Sequence, residues 1–420
     1  MSHPFPLSSF RLASADQIET IRRLGLTRVV ISPEKSLPPP LAVVPSSGVI
    51  SGTKSGPASG AGSSDATDAA DATDAAMQAA LVQQRQRREL LLAQREAASV
   101  CEGQYDEASR ALQRAVELVP SQPVTARLQT EALSRAMLDK MLSAGDLCIR
   151  LLSSTGGERG AAHSLNVSVI SMLMGRTLGL SETELMDIGV GALLHDVGKL
   201  DLPERVRHPE ACNTAPEVNA YREHVHLGIT RARRMGVADG AVQVLAQHHE
   251  HADGSGFPGR LAGEAMSPAA RIVAVVNRYD NLCNPGPRGH PLTPHEAVSL
   301  LFAQNRNKFD PAVLSAFIRM MGVYPAGSVV QLTDDRFAMV IAVNSSRPLK
   351  PRVMVHEAGV PRDEALLLDL EHEPNLGIRR SLPPAKLPLD AFNYLMPRPR
   401  VAYYFEALAS ATLPMGEVAA

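Results

Sequence analysis

Several residue types and patterns are scarce in this 420-residue sequence. It contains no tryptophan, and aromatic residues make up only 4% of it, which argues against a platform of rings for stacking single-stranded nucleic acid. The formal net charge is −2, so no general basic field would draw the chain to a nucleic-acid polymer or to anionic lipid. We therefore expect neither of these as a partner.

Cysteine is also rare, and long apolar runs are missing. The four cysteines lie far apart without a Cys-x-x-Cys pair, which excludes a disulfide framework and a zinc ribbon and predicts reduced thiols. No stretch approaches the ~18 uninterrupted apolar residues that a membrane-spanning helix requires. The first residues also lack the apolar region of a secretory signal. We expect a cytoplasmic protein without membrane insertion.

The remaining composition, with 45% hydrophobic and 20% charged residues, is that of a globular protein. IETIRRLG has helical spacing and TRVVIS is typical of a strand. A later stretch of mostly Ser, Gly, Ala and Asp cannot bury enough apolar surface to become ordered. The expected segments are an accessory α/β fragment at 1–45, a disordered linker at 46–76, a helical connecting region at 77–156, a helical catalytic domain at 157–322 and a β-rich region at 323–420.

The central segment carries repeated signals for helix starts. Ser181 and Glu184 have the spacing of a capping box. Ser267, Thr293 and Asp310 each stand directly before a proline, as a polar N-cap does before a proline at the first helical position. Further along, SVVQL, FAMVIAV and RVMVHE alternate like strands. The fold class is therefore predicted to be mainly α, with a central helical bundle, a small N-terminal α/β fragment and a β-rich C-terminal appendage.

Histidines at helical positions give the strongest indication of chemistry. A single buried histidine is more often a hydrogen-bonded core residue than a ligand, but a set brought inward together favours a metal site. Imidazole nitrogens and a carboxylate suit iron, manganese or zinc, and two ions about 3.5–4 Å apart would activate water for phosphoester hydrolysis. The residues concerned are His163, His195, Asp196, His224, His248 and His249.

The motifs HSLNV, LLHDVGKL, REHVHLG, HHEHADGSGFPGRL and ARIVAVVNRYD together resemble the HD-GYP family, a branch of the HD phosphohydrolases. The resemblance covers residues 157–322 and implies an HD-type helical bundle that holds two or sometimes three metals, usually iron or manganese. It implies hydrolysis of the bacterial second messenger cyclic di-GMP to linear pGpG, or onward to GMP. Residues 3–35 also resemble the end of a small accessory domain whose first strand would lie before Met1.

The resemblance implies two sets of metal ligands that share one carboxylate. The first metal would take His163, His195 and Asp196, and the second His224, His248 and His249 together with Asp196. The family's remaining ligand, an aspartate, is Asn277 here, a neutral group that binds hard cations more weakly. Asp280, nearly one helical turn further, is the alternative. Arg159 replaces the glutamate that binds a third metal in some members and cannot ligate one. We expect two divalent or mixed-valence transition metals, iron or manganese.

Further site residues follow from the same resemblance. Lys199 occupies the position that meets the scissile phosphate or protonates the leaving oxygen, although a lysine after a helix-ending glycine is otherwise a solvated charge. Arg288 stands near the place of the family's Arg-Pro-Tyr segment, which grips the guanine nucleotide. The ring of Phe257 replaces the tyrosine of the family name. A loop that would control substrate access and contact diguanylate cyclase domains, or serve only as a rigid turn, contains Asp253, Gly254, Gly256, Phe257 and Pro258.

Three functions are consistent with these residues. The first is metal-dependent hydrolysis of cyclic di-GMP by a metal-bridging hydroxide, with Asp196 and Lys199 as catalytic residues. The alternative is a catalytically weakened sensor or adaptor that binds nucleotide or a diguanylate cyclase partner without efficient turnover, which Asn277 favours. A third keeps the enzyme class and changes the nucleotide. The sequence leaves open whether the chain forms a homo-oligomer.

Overall fold

The computed structural model describes residues 64–153, 159–344 and 347–407. The chain divides into two compact units, Arg11–Glu89 and Leu90–Ala420, the latter together with Met1–Phe10. The smaller unit is described only from Ser64 onward, and this part of it is helical. The α/β fragment expected at 1–45 therefore lies outside the described residues.

Ten α-helices and seven strands occur among the described residues, which confirms the mainly α fold. The helices are α1 (Ser64–Leu118), α2 (Pro123–Ser143), α3 (Arg159–Thr177), α4 (Glu182–Leu194), α5 (Ala215–Met235), α6 (Asp239–Gln247), α7 (Pro268–Cys283), α8 (Pro294–Gln304), α9 (Pro311–Met321) and α10 (Leu389–Leu395). The strands are β1 (Leu147–Leu151), β2 (Val329–Leu332), β3 (Phe337–Asn344), β4 (Arg352–Val355), β5 (Leu367–Asp369), β6 (Ile378–Ser381) and β7 (Tyr403–Ala407).

Helix α1 begins earlier than the composition indicated. It starts at Ser64 and includes the repeat DATDAA, which the sequence assigned to a disordered linker. Alanine is the strongest helix former, so an alanine-rich run can continue a helix even where few of its residues are apolar and large. The expected linker is wrong for residues 64–76, and residues 46–63 lie outside the described part of the chain.

Capping residues begin the bundle helices as predicted. Ser181 forms a reciprocal capping box with the glutamate three residues later at α4, and Thr293 does the same at α8. The side chains of Ser267 and Asp310 accept hydrogen bonds from the first backbone N–H groups of α7 and α9. A further capping box at Thr214 begins α5. Local side-chain hydrogen bonds thus fix where five of the helices start.

Helices α3 to α7 form the centre of the bundle. Helix α3 is buried along almost its whole length and packs against both α4 and α7. Helix α4 packs against α6, where a Cβ on Gly191 would lie only 2.6 Å from the Cβ of Val244. This close contact lies one turn before the ends of both helices. It brings His195 and His248 side by side, with ring centres 5.0 Å apart.

The strands form one antiparallel sheet in the order β5-β4-β3-β1-β7, and β2 pairs with both β3 and β6. Successive residues of β3 face opposite sides: Ala338 and Val340 join the main core, whereas Met339 and Ile341 pack with Leu395 of α10. The sheet is therefore covered on both faces, which explains why the central residues of β3 are all buried. The predicted β-rich C-terminal region is confirmed.

Strand β1 corrects the expected organisation. Leu147–Leu151 lies within the region 77–156 that was expected to be helical, yet it forms the strand between β3 and β7. It is a short, mostly apolar run with one arginine, and its partners include Asn344 and Ala407. Because a run of this length has no distinctive periodicity, the local sequence does not reveal such distant pairing. The sheet is thus built from one strand that precedes helices α3 to α7 in the sequence and six strands that follow them.

Two further observations concern membrane-spanning helices and the cysteine thiols. Within the described ranges, we find no helix whose apolar stretch is long enough to cross a bilayer. The cysteines are unpaired, and those at 101, 148 and 283 are buried. Burial raises the pKa of Cys101 and of Cys148 to about 12, so these thiols are protonated at neutral pH.

Candidate metal centre

Four helices carry the histidines into one region of the bundle. His163 lies in the first turns of α3, and His224 lies in the middle of α5. His195 caps the end of α4 and is followed by Asp196 and a 3₁₀ turn, Val197–Asp201. His248 caps the end of α6 and is followed directly by His249.

A close backbone contact brings the His-Asp pair beside α5. A Cβ on Gly198 would overlap the carbonyl oxygen of His224 and would lie 2.5 Å from the backbone nitrogen of Gly228. Only glycine permits this approach of two backbones. The turn that carries Asp196 and Lys199 therefore lies directly against the helix that carries His224.

The potential ligand atoms form two groups that share one residue. Within each group, one ligand atom per residue lies within 4.8 Å of those of the others. The first candidate metal position consists of His163, His195 and Asp196, and the second of Asp196, His224, His248 and His249. The structure thus brings together the six side chains in the two sets that the family resemblance implied.

Backbone carbonyls orient three of these imidazoles. The Nδ1 atoms of His195, His224 and His248 lie 2.7, 2.6 and 2.8 Å from the carbonyl oxygens of the residues three positions earlier. Because a carbonyl oxygen can only accept a hydrogen bond, each Nδ1 carries a proton, and in the neutral ring Nε2 then keeps its lone pair. These Nε2 atoms are therefore available to bind a metal.

The Nε2 atoms face one another in two pairs. His163 Nε2 lies 3.1 Å from His195 Nε2, and His224 Nε2 lies 3.3 Å from His248 Nε2. Two nitrogens bound at right angles to one ion, each at about 2.1 Å, would be about 3.0 Å apart, so both separations fit shared metal ions. Without a cation between them, two lone pairs at these distances would repel each other.

Burial keeps the imidazoles of the second position neutral. Desolvation lowers the pKa of His224 to about 4. Burial, together with the neighbouring imidazoles, lowers the pKa of His248 and of His249 well below the usual range. A proton shared between His224 and His248 is therefore disfavoured at neutral pH. Neutral imidazoles and a carboxylate are a transition-metal donor set, so these residues fit a metal.

Asp196 lies between the two positions and presents one oxygen to each. Its Oδ2 is 3.4 Å from His195 Nε2 and 3.8 Å from His163 Nε2. Its Oδ1 is 3.6 Å from His224 Nε2 and 3.9 Å from His248 Nε2. This carboxylate therefore has the geometry to bridge two metal positions.

Lys199 pairs with the bridging carboxylate. Its Nζ lies 2.6 Å from Asp196 Oδ2 and 5.4 Å from the centre of the Tyr221 ring. Burial opposes both charges, but Lys199 and His195 outweigh it and hold the pKa of Asp196 well below its usual value. The carboxylate in turn raises the pKa of Lys199 above its usual value. Lys199 therefore stays protonated, with two N–H groups beyond the one that Asp196 accepts.

Asn277 and Asp280 both lie on α7 but have different partners. Asn277 is buried, and its Oδ1 accepts a hydrogen bond of 2.7 Å from Asn281 Nδ2. Asp280 is fully buried, and its Oδ2 lies 2.6 Å from His163 Nδ1. Asp280 thus contacts the ring nitrogen of His163 that does not face His195. This geometry makes Asp280 a positioning residue and does not support the alternative that it ligates a metal in place of Asn277.

The loop after α6 is attached directly to the second metal position. Phe257 stacks on His249, with ring centres 4.5 Å apart and an interplanar angle of 20°. The buried Glu250 accepts hydrogen bonds of 2.6 and 3.0 Å from the backbone nitrogens of Gly259 and Leu261. Glu250 was not among the predicted site residues. Its place directly after two ligand histidines is the sequence signal that indicates it.

Glycines and an aspartate give this loop its shape. Gly254 has a φ of +74°, in the region that favours glycine. A Cβ on Gly256 would overlap the backbone of Glu250. Asp253 Oδ1 accepts a hydrogen bond of 2.9 Å from the backbone nitrogen two residues later. Asp253 and Pro258 are exposed, so the loop is a well-defined turn that also presents an accessible edge.

Two arginines near the start of α3 and the end of α7 complete the predicted set. Arg288 is exposed in a turn that follows α7. Arg159 donates a hydrogen bond of 2.8 Å from Nη1 to the carbonyl oxygen of Pro285. The side chain at the position of the third-metal glutamate is thus a cation that holds the neighbouring loop, and it supplies no ligand.

Two families match the chain. Residues 146–313 match the HD domain family, and residues 1–130 match a domain of unknown function, DUF3391. The HD match begins ahead of β1 and includes every residue of both metal positions. The match over 1–130 covers the accessory fragment, the linker and much of the connecting region that the sequence suggested.

Several similar curated proteins are named as cyclic dinucleotide phosphodiesterases. Cyclic di-GMP phosphodiesterase PA4108 of Pseudomonas aeruginosa is 32% identical over 204 residues, 48% of this chain and 49% of that protein. The response regulator RpfG of Xanthomonas campestris, a cyclic di-GMP phosphodiesterase, is 36% identical over 36% of this chain and 41% of its own. The 3′3′-cGAMP-specific phosphodiesterase 2 of Vibrio cholerae is 30% identical over 37% of this chain and 30% of its own. The chain spans about half or less of the length of these relatives.

Solved structures show a more distant likeness. Bd1817, an HDG"Y"P protein from Bdellovibrio bacteriovorus, is 17% identical, with a TM-score of 0.42 over 52% of this chain and 71% of that chain. Residues 146–313 form an HD domain, and the motifs within this segment are those of the HD-GYP branch of that family.

Proposed function

We propose that this protein hydrolyses a phosphodiester bond of cyclic di-GMP in a metal-dependent reaction, with pGpG as the product. The observation that carries the proposal is the carboxylate of Asp196, which presents one oxygen to each of two histidine groups and holds Lys199 at 2.6 Å. The names of two relatives support cyclic di-GMP as the substrate. Further hydrolysis to GMP remains part of the proposal to be tested.

The two metal positions suit iron or manganese because their donors are imidazole nitrogens and a carboxylate. Bound there, a pair of such ions supplies an activated water and neutralises charge on the phosphate. His163, His195 and Asp196 would hold one ion, with the carbonyl oxygen of Asn277 as a candidate further donor. Asp196, His224, His248 and His249 would hold the other.

Lys199 is the protein group that would contact the phosphate and protonate the leaving oxygen. Its protonated Nζ is held by Asp196, and its remaining N–H groups can donate to a phosphate oxygen. The same ammonium can give a proton to the leaving oxygen, since the ion pair keeps it charged near neutral pH. Lys199→Met should therefore lower kcat by about 10²–10⁴-fold, the usual contribution of a general acid, while leaving metal binding intact.

The test uses full-length protein freed of metal and then loaded with Fe(II) or Mn(II). Cyclic di-GMP and 3′3′-cGAMP are assayed side by side, since a similar protein from Vibrio cholerae is named for the second nucleotide. We expect pGpG from cyclic di-GMP, and little product from the Asp196→Asn variant. Protein that carries two ions per chain and cleaves neither nucleotide would contradict the proposal.

The second candidate function is a sensor or adaptor with little turnover. Asn277 favours it, because the amide oxygen is neutral and already accepts a hydrogen bond from Asn281. In this case calorimetry would show binding of cyclic di-GMP without hydrolysis, and Asn277→Asp would create activity. The exposed edge of the loop at Asp253 and Pro258 would be the contact for a diguanylate cyclase domain. Full activity of the unmodified chain would remove the reason for this candidate.

A further inference from the structure

The C-terminal segment 401–403 is linked to His163 by side-chain hydrogen bonds. Asn166, on α3, donates from Nδ2 to Asp280 Oδ1 at 2.7 Å and to the carbonyl oxygen of Val401 at 3.1 Å. Its Oδ1 accepts a hydrogen bond of 2.9 Å from the backbone nitrogen of Tyr403. The side chain is 1% exposed, so the low polarity around it makes these bonds costly to lose.

Asn284, just after α7, makes a parallel set of contacts. Its Nδ2 donates to the carbonyl oxygen of Val401 at 2.8 Å and to Asp280 Oδ1 at 2.9 Å. Its Oδ1 accepts a hydrogen bond of 2.9 Å from the backbone nitrogen of Val401. Two amides, one on α3 and one just after α7, thus join the same backbone segment to the same carboxylate oxygen.

Asp280 connects these amides to the metal centre. One of its oxygens accepts from both asparagines, and the other lies 2.6 Å from His163 Nδ1. A fully buried carboxylate is stable only while such partners satisfy it. Without the amides, Asp280 would be free to rotate, and His163 would lose the contact that fixes its ring and its tautomer.

Three of the other histidines are oriented by contacts within their own helices. His195, His224 and His248 donate from Nδ1 to carbonyl oxygens of their own helices, three positions earlier. His163 instead depends on a carboxylate 117 positions away, which in turn depends on residues beyond 400. The first metal position is therefore sensitive to the C-terminal segment, whereas these contacts give the second position no such dependence.

The same segment enters the sheet. Residues 403–407 form β7, which pairs with β1 over its whole length, from Leu151 opposite Tyr403 to Leu147 opposite Ala407. The backbone nitrogen of Leu152 also donates to the carbonyl oxygen of Ala402 at 3.0 Å. The sheet thus holds the backbone groups that both asparagines contact.

We propose that residues 401–403 complete the first metal position by holding Asn166, Asn284 and Asp280 in the arrangement that directs His163 Nε2 toward His195. The sheet that contains β1 and β7 thereby controls occupancy of one metal position and leaves the other unchanged. The inference rests on the metal binding of the proposed function and does not depend on which nucleotide is cleaved.

The test measures Mn(II) binding by calorimetry on full-length, metal-free protein. Asn284→Ala is made in two backgrounds: His248→Ala, which leaves the first position, and His163→Ala, which leaves the second. We expect Mn(II) affinity to fall by about 10–100-fold in the first background, the usual effect of removing a group that orients a ligand. In the second background we expect no change.

Asn305→Ala is the matched control. Asn305 is also buried, and its Nδ2 donates to the carbonyl oxygen of Leu300 at 3.3 Å, away from Asp280. It should leave Mn(II) affinity unchanged in both backgrounds. If Asn284→Ala weakens binding equally in both backgrounds, or in neither, the proposal is overturned. An unmodified chain that binds no Mn(II) at the first position overturns it as well.

Asp280→Asn provides a second test in case Asn284→Ala impairs folding. The new amide would donate to His163 Nδ1, which moves the ring proton to Nε2 and removes the lone pair needed for a metal. Mn(II) binding at the first position should be lost with little change in shape, and its retention would overturn the proposal. Binding that shows this dependence in a chain without hydrolysis would uphold the inference and contradict the proposed function.

Discussion

Replacing Gly198 by alanine tests how the His-Asp pair is positioned. A Cβ at this residue would lie 2.5 Å from the backbone nitrogen of Gly228 and would overlap the carbonyl oxygen of His224, whereas ordinary contacts begin at 3.4 Å. The obstructing atoms belong to the backbone of α5, so they cannot rotate away. The turn that carries Asp196 and Lys199 would have to withdraw by about 1 Å, a displacement that costs on the order of 10²-fold in rate.

The same displacement affects stability. Overpacking of this kind costs about 1–3 kcal/mol, which urea unfolding of the metal-free protein would detect. Gly228→Ala is the matched control, because a Cβ there would meet Gly198 N at 3.5 Å, an ordinary contact. Within α5 this change should stabilise the chain by about 0.5–1 kcal/mol and leave hydrolysis intact.

The assay compares kcat/KM for cyclic di-GMP at saturating Mn(II) in the two variants and the unmodified chain. We expect a large loss for Gly198→Ala and none for Gly228→Ala. Unchanged kcat/KM in Gly198→Ala would show that the close contact between the turn and α5 does not position Asp196 and Lys199, and would refute the reasoning.

Three further predictions concern the loop, the imidazoles and the sheet. Glu250→Gln places an amide group against a backbone N–H donor, so it should lower the free energy of unfolding by about 1–3 kcal/mol and speed proteolysis of the loop. A variant that is cleaved at the wild-type rate would contradict this. Burial lowers the pKa of His224 to about 4 in the folded protein from an ordinary value of 6.5, so the unfolded chain binds more protons between these two pH values. Stability of the metal-free chain should therefore fall as pH falls, by about 2 kcal/mol between pH 7 and 5 from this group, and His224→Gln should reduce that slope in urea unfolding. Arg150 and Glu406 form an ion pair of 2.7 Å, and their side chains are only 8% and 12% exposed. Glu406→Gln should therefore lower the free energy of unfolding by about 3–5 kcal/mol, because it leaves a buried charge without its partner. A loss below about 1 kcal/mol would contradict the pairing.

Features encoded by neighbouring residues were predictable from the sequence. Four helix starts were predictable because a side chain accepts hydrogen bonds from the first backbone N–H groups of its own helix, an interaction within a few residues. The capping residues are Ser181, Ser267, Thr293 and Asp310. The inward histidines were recognisable because helical spacing places them on apolar faces and because their motifs are specific.

Features that depend on distant contacts were not predictable in this way. Strand β1 is a five-residue run, apolar except for Arg150, whose hydrogen-bonding partners lie far along the chain. The role of Asp280 likewise depends on Asn166, Asn284 and Val401, which no local pattern connects. The sequence therefore indicated which side chains gather into the two candidate metal positions, but not which contacts orient them.

The most direct test of the central claim is a count of metal ions per chain. Full-length protein is equilibrated with Mn(II), freed of unbound metal and analysed for manganese. Two ions per chain are predicted for the unmodified protein, and one each for His163→Ala and His248→Ala. Retention of two ions in both variants, or an unmodified chain that binds none, would contradict the claim that these side chains form two adjoining metal positions.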